Sequence, residues 1–361
     1  RFRGVAERRL AEGFRFFKFD GIGGGLGQSG AGEFDADFEA MLRLISELRA
    51  RSDRLDAGPL SSELRTHPKA AKKRKRRLWI NLTIGTWPSA FWLLWADSIW
   101  RDGVDVGLEG SGSSRERWLT FRDASTLRAL RRGPLFPLPR LMQHGIVWSR
   151  VGMAADLWDD RNPGTLEDFR KEVLSFFLTG VALQELYLQI ELMTPRHWEL
   201  LADAASFARL HAEVLRDAHW IGGDPSHGEP YGVASFGRLP TMLSGEAEGD
   251  LSGDGGLLFW RNPSAESRDA AFVVAAALEL PLGEPALRRA CWLLRRPLLA
   301  AALDSAAPEA ETRPRCVEAG RRLTLRLQPF EVRALEMRAV SCESRVCTGA
   351  RYALAQSGEK K

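Results

Sequence analysis

The chain has 361 residues, 44% of them hydrophobic, which is enough to bury a core and to form two or three domains. Its formal net charge is only +4, with 27% charged residues, and this balance excludes strong binding of polyanions through overall charge. No stretch reaches the roughly 18 apolar residues of a membrane span, so we expect no membrane partner.

Strand and helix signals alternate up to residue 218, after an opening segment, 1–12, that reads as the end of a helix. Strands are predicted at 14–20, 78–84, 97–101, 141–148 and 182–188. Helices are predicted at 38–48, 123–132, 166–178 and 194–217, with a short Trp-rich turn or helix at 87–96. Asp123 is expected to cap the second of these helices and Gly133 to end it. This alternation predicts a parallel α/β sheet or barrel.

The pattern changes after His219 to short alternating runs separated by turn residues: YGVASF, GLLFWRNPS, FVVAAAL, RLTLRL and EVRALEM. Such runs predict an antiparallel β domain. We therefore predict three parts: a (β/α) barrel domain at 1–218, a β-sandwich at 219–340 and a flexible tail at 341–361.

The four cysteines, Cys291, Cys316, Cys342 and Cys347, form no CxxC pair and lie near no run of histidines. Their spacing indicates neither a zinc site nor a disulfide framework. We expect no metal and no organic cofactor.

Lys18 and Asp20 lie on one face of the first predicted strand, because side chains two residues apart point the same way. On that face they follow Phe14 and Phe16, which we expect to pack the bottom of a barrel strand. A carboxylate at the carboxyl end of a barrel strand points into the active-site mouth, and a neighbouring lysine keeps it ionised. The pair fits either a nucleophile or a buried ion pair that closes the top of the strand.

A second group of polar residues follows the third strand, in the run Trp100-Arg101-Asp102-Gly103-Val104-Asp105. It offers two carboxylates beside a guanidinium group and an indole ring. Glycoside hydrolysis needs a second carboxyl group to protonate the departing oxygen, and an indole can stack on a sugar ring. The alternative is a solvated cluster of charges on a polar loop.

Four segments, FFKFDGIG, INLTIGTWPSAFWLLWADSIWRDGVD, GPLFPLPRLMQHGIVW and LQELYL, resemble the melibiase-like (α-galactosidase) superfamily of glycoside hydrolases. They are most similar to a bacterial branch that reads KFDGIG, TWPSPFWL, ADSIWRGG and LMLHGI. The resemblance covers most of residues 14–236 and extends to the RNPS and PFEV segments. It implies the C-terminal part of a (β/α)8 TIM barrel, about strands four to eight, followed by the β-sandwich.

The resemblance also implies a retaining mechanism on α-linked galactose-type sugars. Asp20 matches the nucleophile of the superfamily, and Asp105 matches the acid/base that follows the sixth strand. Asp102 stands where the branch has glycine, so it remains an alternative acid/base, and Asp97 is a more remote one. The expected substrate-binding residues are Lys18, Trp87, Trp100, Arg101, His144 and Glu185, of which the last two lie at the tops of the seventh and eighth strands.

The chain departs from the superfamily at two places. Barrel strands one to three are expected to precede residue 1. Residues 51–77, which end in KKRKRR, replace a short connection and are expected to be an exposed, poorly packed insertion. A nucleic-acid partner is not expected, because aromatic residues do not interleave the basic run.

The sequence favours a retaining α-glycosidase whose partner is a carbohydrate. The alternative is a non-catalytic remnant that at most binds carbohydrate. Neither the sugar and linkage, nor the oligomeric state, nor the localisation follows from the sequence.

Overall fold

The computed structural model describes residues 2–20, 35–56, 77–83, 88–101, 103–240, 250–295, 315–344 and 347. The chain divides into two compact units. Unit 1 comprises residues 1–102, 129–136 and 140–142, and unit 2 comprises residues 103–128, 137–139 and 143–361. Trp87 and Asp102, two of the predicted site residues, lie outside the described residues.

Five parallel strands confirm the predicted parallel α/β sheet. They are β1 (Phe16–Phe19), β2 (Trp79–Leu82), β3 (Ser98–Trp100), β4 (Leu141–Trp148) and β5 (Gln184–Leu188). They pair in chain order, β1-β2-β3-β4-β5, and all four pairings are parallel. Parallel neighbours need a crossover connection, which is usually a helix. The main helices are α1 (Phe2–Ala11), α2 (Asp35–Asp56), α3 (Ser114–Arg132), α4 (Leu166–Leu178) and α5 (Pro195–Leu210).

The core of unit 1 forms where α2 packs on the first strands. Leu44, Ile45 and Leu48 recur at helical spacing and are buried together with Ile80 and Leu82 of β2. Within the same unit, Gly133 ends α3 as predicted. A Cβ atom there would stand 1.9 Å from the carbonyl oxygen of Pro88, so no larger residue fits this end of the helix.

Helix α2 is longer than predicted, and this corrects the proposed insertion at 51–77. Residues 51–56 belong to the helix, and Ser52 is buried. Arg77, at the other end of the proposed insertion, forms an ion pair of 3.2 Å with the buried Asp97. Residues 57–76 lie outside the described residues, so their exposure remains a prediction.

Helix α3 begins at Ser114, so the prediction that Asp123 caps a helix was wrong. Asp123 lies inside the helix, where its carboxylate accepts a hydrogen bond of 2.8 Å from Arg122. The first half of the helix reads as a polar loop, because Arg115 and Arg122 interrupt its apolar pattern. Both arginines are nevertheless buried in unit 2.

The remaining elements of unit 2 follow α5. They are α6 (Ala212–Leu215), β6 (His219–Gly222), β7 (Tyr231–Arg238), β8 (Asp250–Arg261), β9 (Arg268–Val273), α7 (Val274–Ala277), α8 (Pro285–Arg289), β10 (Cys291–Arg295), β11 (Arg315–Glu318), β12 (Arg322–Leu327) and β13 (Val332–Val340). Strands β6 to β13 form a six-stranded sheet of order β11-β10-β13-β8-β7-β6 and a pair β12-β9, all antiparallel as predicted. Both sheets contribute to one apolar cluster that includes Trp260, Phe272, Trp292, Leu327 and Met337.

Two predicted boundaries in unit 2 were wrong. The helix expected over 194–217 is broken between α5 and α6 at His211, whose ring nitrogen Nδ1 lies 2.9 Å from the carbonyl oxygen of Phe207. The run FVVAAAL is not all strand, because β9 ends at Val273 and α7 follows. Alanine is the strongest helix former, which explains why the strand does not continue through the alanine run.

Two disulfides correct the expectation that the cysteines form no disulfide framework. Cys291 is bonded to Cys342, and Cys316 is bonded to Cys347. The partners are 51 and 31 residues apart, so only the pairing of β10 with β11 and β13 brings them together. The segment predicted to be a flexible tail is thereby fastened to the sheet at Cys342 and Cys347.

A buried polar network joins α3 to strands β7 and β8. The guanidinium group of Arg261 donates to the hydroxyl of Thr120 at 3.0 Å and to the carboxylate of Glu116 at 2.8 Å. It also donates to the Tyr231 hydroxyl at 3.0 Å, and that hydroxyl donates to Asp123. Burial raises the pKa of Tyr231, and the Asp123 carboxylate adds to the rise, so the phenol remains a donor.

Within the described ranges no helix has the length and apolarity to cross a membrane.

Candidate active site

Three of the predicted site residues meet within unit 2. His144 lies on β4 and Glu185 lies directly opposite it on β5. The His144 ring nitrogen Nδ1 lies 3.6 Å from Oε2 of Glu185, and its other nitrogen, Nε2, lies 3.3 Å from Oδ1 of Asp105. The arrangement is therefore a histidine held between two carboxyl groups.

The three residues differ in their access to solvent, and this limits what each can do. The side chain of Asp105 is 56% exposed, that of Glu185 is 21% exposed, and His144 is buried. The ring of Tyr187 packs edge-on against the imidazole, with ring centroids 4.8 Å apart. Asp105 is therefore the member of the three that is most open to solvent.

A bulge in β4 sets the orientation of His144. The pairing of β4 with β5 shifts register between His144 and Ile146, and Gly145 lies at the shift. A Cβ atom on Gly145 would stand 2.2 Å from the ring of Phe176 on α4, so only glycine fits this position. Bulges of this kind re-aim side chains and are common beside active sites.

Two buried ionisable residues that the sequence did not single out support the strand beyond the bulge. The Glu172 carboxylate accepts hydrogen bonds from the Val147 amide at 2.8 Å and from the Trp118 indole at 2.7 Å. Arg115 donates to the carbonyl oxygen of Val147 at 2.6 Å and stacks 4.4 Å from the ring of Trp148. Burial raises the pKa of Glu172 and lowers the pKa of Arg115. The one signal for Glu172 in the sequence is a charge between the apolar positions of α4.

Asp20 belongs to unit 1 and directly follows β1. Its Oδ1 accepts a hydrogen bond of 2.7 Å from the Thr83 hydroxyl, and both Asp20 and Lys18 are exposed. The expectation that Phe14 and Phe16 pack the bottom of this face was wrong, since they are 54% and 47% exposed. The packed face of β1 is the opposite one, which buries Phe19 against the apolar cluster of unit 1.

Other candidate residues of unit 1 are buried. Trp100 and Arg101 are 5% and 0% exposed, and the guanidinium carbon lies 4.4 Å from the indole centroid. Asp97 is 1% exposed and accepts from the Ile80 amide at 2.9 Å. It also forms ion pairs with Arg49, Arg77 and Arg140. These contacts give Asp97 a structural role in closing the end of β2, and the use of Trp100 and Arg101 in sugar binding remains a prediction.

The chain was compared with family models, curated proteins and solved structures. No family model matches the chain, and no curated protein matches it. Among solved structures it is similar to a GH27 β-L-arabinopyranosidase and to a GH36 α-galactosidase, both from Geobacillus stearothermophilus. Each is 11% identical to this chain. The arabinopyranosidase has a TM-score of 0.48, with 93% of this chain and 60% of that one covered. The α-galactosidase has a TM-score of 0.49, with 94% of this chain and 37% of that one covered. An Anoxybacillus α-amylase is 10% identical, with a TM-score of 0.47 over 94% and 62%.

The chain is only 10–11% identical to these three structures. It spans less than two thirds of the length of each of these three solved structures. The activity of a whole protein of this kind is therefore considered below as a proposal.

Proposed function

We propose that the chain carries the catalytic residues of a retaining α-glycosidase of the α-galactosidase type. The observation that carries the proposal is the position of Asp105, exposed on the loop after β3 and in contact with His144, within a motif that resembles the acid/base segment of the superfamily. Asp20 is the matching nucleophile at the end of β1. In (β/α) barrels the catalytic residues lie at the carboxyl ends of the strands.

The proposed reaction has two steps. Asp20 attacks the anomeric carbon and forms a glycosyl ester, while Asp105 donates a proton to the departing oxygen. Asp105 then takes a proton from water, which cleaves the ester from the opposite face and restores the α configuration. Thr83 supports the nucleophile, because its hydroxyl donates to Asp20 and stabilises the ionised carboxylate.

His144 and Glu185 act on the acid/base residue in this proposal. Asp105 must alternate between a protonated and an ionised form during each turnover. A ring N–H of His144 can donate to the ionised form, and Glu185 lies on the other side of the ring, 3.6 Å from Nδ1. His144 is therefore a positioning residue, and Asp105 is the catalytic one. No metal or organic cofactor takes part in the proposed chemistry.

A non-catalytic, carbohydrate-binding chain is the second candidate. Asp102 stands where the bacterial branch has glycine, and Trp100 and Arg101 are buried. Hydrolysis of aryl α-glycosides by the purified chain separates the two candidates. We expect release of the aryl group from an α-galactoside or an α-N-acetylgalactosaminide, with an aryl α-glucoside as comparison. Binding of galactose without turnover of any of these substrates would support the second candidate.

A further inference from the structure

The four cysteines form one cluster in unit 2. Cys291, Cys316 and Cys347 are buried, and their sulfur atoms all lie within 4.8 Å of one another. Cys342 is half-buried and is bonded to Cys291. All four sulfur atoms therefore occupy one small volume, at the end of the antiparallel sheet.

Strand register places two of these sulfurs, and the segment after β13 places the other two. Cys291 opens β10, and Cys316 lies on β11 opposite Leu293, one diagonal step from Cys291 on the same face. Val340, the last residue of β13, lies opposite Cys291, so the chain that leaves β13 returns Cys342 to it. The amide of Cys347 donates to the Ser344 carbonyl at 3.0 Å.

The closeness of the two disulfides to each other is not needed for crosslinking. A disulfide requires only its own two sulfur atoms to be close, whereas here the sulfur atoms of both disulfides lie together. A tetrahedral zinc site with Zn–S bonds of about 2.3 Å has S–S separations of roughly 3.8 Å. The upper limit of 4.8 Å among three of the sulfurs is thus about 1 Å wider than such a site needs. Leu293 and Val340 give the cluster an apolar surround that shields bound thiolates from water.

We propose that the four cysteines bind one zinc ion, or a similar thiophilic divalent cation, when the disulfides are reduced. Each disulfide takes two electrons from a thiol or phosphine reductant and yields two thiols. The two protons come from the thiol reductant or, with a phosphine, from water, whose oxygen ends in the phosphine oxide. The four thiols release four protons on binding the cation as thiolates. The segment after β13 then remains fastened to β10 and β11 in both redox states. This site is independent of the proposed glycosidase activity.

The test uses the full chain, reduced under anaerobic conditions with a phosphine and titrated with Co²⁺ as the spectroscopic probe. We expect about one equivalent to bind with thiolate-to-cobalt charge-transfer bands and the visible bands of tetrahedral Co²⁺, and Zn²⁺ to displace it. Oxidised chain should bind none. A reduced chain that stays folded by circular dichroism but shows no such bands would overturn the proposal and leave the cysteines with a disulfide role alone.

Variants locate the site. Cys316→Ser, which leaves the Cys291–Cys342 pair intact, should weaken the Zn²⁺ affinity of the reduced chain on the order of tenfold or more. His227→Ala, at an exposed ring remote in sequence from the cluster, should leave the affinity unchanged. If Cys316→Ser does not fold, alkylation of the reduced wild-type chain decides. Bound zinc should protect all four cysteines from alkylation, and a chelator that removes the zinc should make all four reactive. Protection of only two cysteines, or of none, would contradict a four-cysteine site.

Discussion

His144 and Asp105 approach each other with Nε2 and Oδ1 3.3 Å apart, one residue buried and the other open to solvent. The pair links a fixed strand to a loop carboxylate. Replacing His144 by alanine should lower kcat/KM roughly tenfold to a hundredfold, the effect of losing one hydrogen bond to a charged group. The loss should be larger for substrates with poor leaving groups, because these depend on protonation by Asp105.

A double-mutant cycle tests whether His144 acts through Asp105. If it does, His144→Ala should have little further effect in an Asp105→Ala background. His227→Ala, at an exposed ring, is the control and should leave kcat/KM unchanged. Fully additive losses would show that His144 has a separate role, such as binding a sugar hydroxyl.

Asp105→Ala should be slow on substrates with poor leaving groups and partly spared on activated aryl glycosides, which depart without protonation. Added azide should restore the rate, because a small anion can enter the vacated space and attack the glycosyl ester. The product, identified by NMR, should be a glycosyl azide of retained α configuration. A β-configured azide would mean that Asp105 is the nucleophile and Asp20 the acid/base.

Asp20→Asn should reduce turnover on the order of 10³-fold or more and leave sugar binding largely in place, since the amide is nearly isosteric but cannot form the ester. Thr83→Val is the matched variant, because it removes the hydroxyl that donates to Asp20 at 2.7 Å and that also lies 3.3 Å from the Phe19 carbonyl oxygen. Its kcat should fall by about tenfold. Calorimetry with galactose and single-turnover kinetics separate binding from chemistry. Normal turnover by Asp20→Asn would remove Asp20 from the mechanism.

The polar network around Arg261 should matter for stability. Arg261→Met removes one of two ion-pair partners of the buried Glu116, the other being Lys171, and should lower the free energy of unfolding by about 3 kcal/mol. Tyr231→Phe, which removes one donor to Asp123, should cost about 1–3 kcal/mol. Arg326→Ala breaks an exposed pair with Asp269 and should cost at most about 1 kcal/mol. Urea denaturation monitored by Trp fluorescence measures all three, and equal losses would contradict the burial argument.

Glu172 should make the stability of the chain depend on pH. Burial raises its pKa above the usual value of 4.5, so the folded state holds a proton that the unfolded state releases. Its contribution is therefore fully present below pH 4.5 and is lost as the pH rises toward the raised pKa. Glu172→Gln keeps an acceptor for Trp118 and Val147 but does not titrate. In this pH window the unfolding free energy of the variant should fall less steeply with pH than that of the wild type, by up to about 1.4 kcal/mol per pH unit. Identical slopes in wild type and variant would rule out a protonated Glu172.

The sequence predicted the five parallel strands from their apolar runs, which are buried most completely in the central strands β2, β3 and β4. Strand β4 lies at the predicted residues 141–148 and is buried along its whole length. Helix α4 also lies at its predicted residues, since Thr165 caps it and Phe169, Val173 and Phe176 form a clear stripe. The sequence pattern predicts an element correctly where the hydrophobic residues of that element are the buried ones.

The errors occurred where polar groups are buried or where distant segments meet. The start of α3 was missed because Arg115 and Arg122 are buried with partners far away in the sequence. The disulfides were missed because spacing along the chain carries no information about strand order. The sequence placed His144 and Glu185 on neighbouring strands, but it could not give the position of the imidazole between two carboxyl groups. That position depends on a local bulge and on a loop conformation.

The contact between Gly145 and Phe176 has a consequence for the evolution of this site. Any side chain at position 145 would displace Phe176, which lies one turn of α4 beyond Glu172. The displacement would be passed to the Val147 amide that Glu172 holds, and so to the strand that carries His144. Selection for a new sugar preference therefore has little freedom in the interior of β4. Adaptive changes should accumulate instead at exposed positions of the loop after β3, such as Val104.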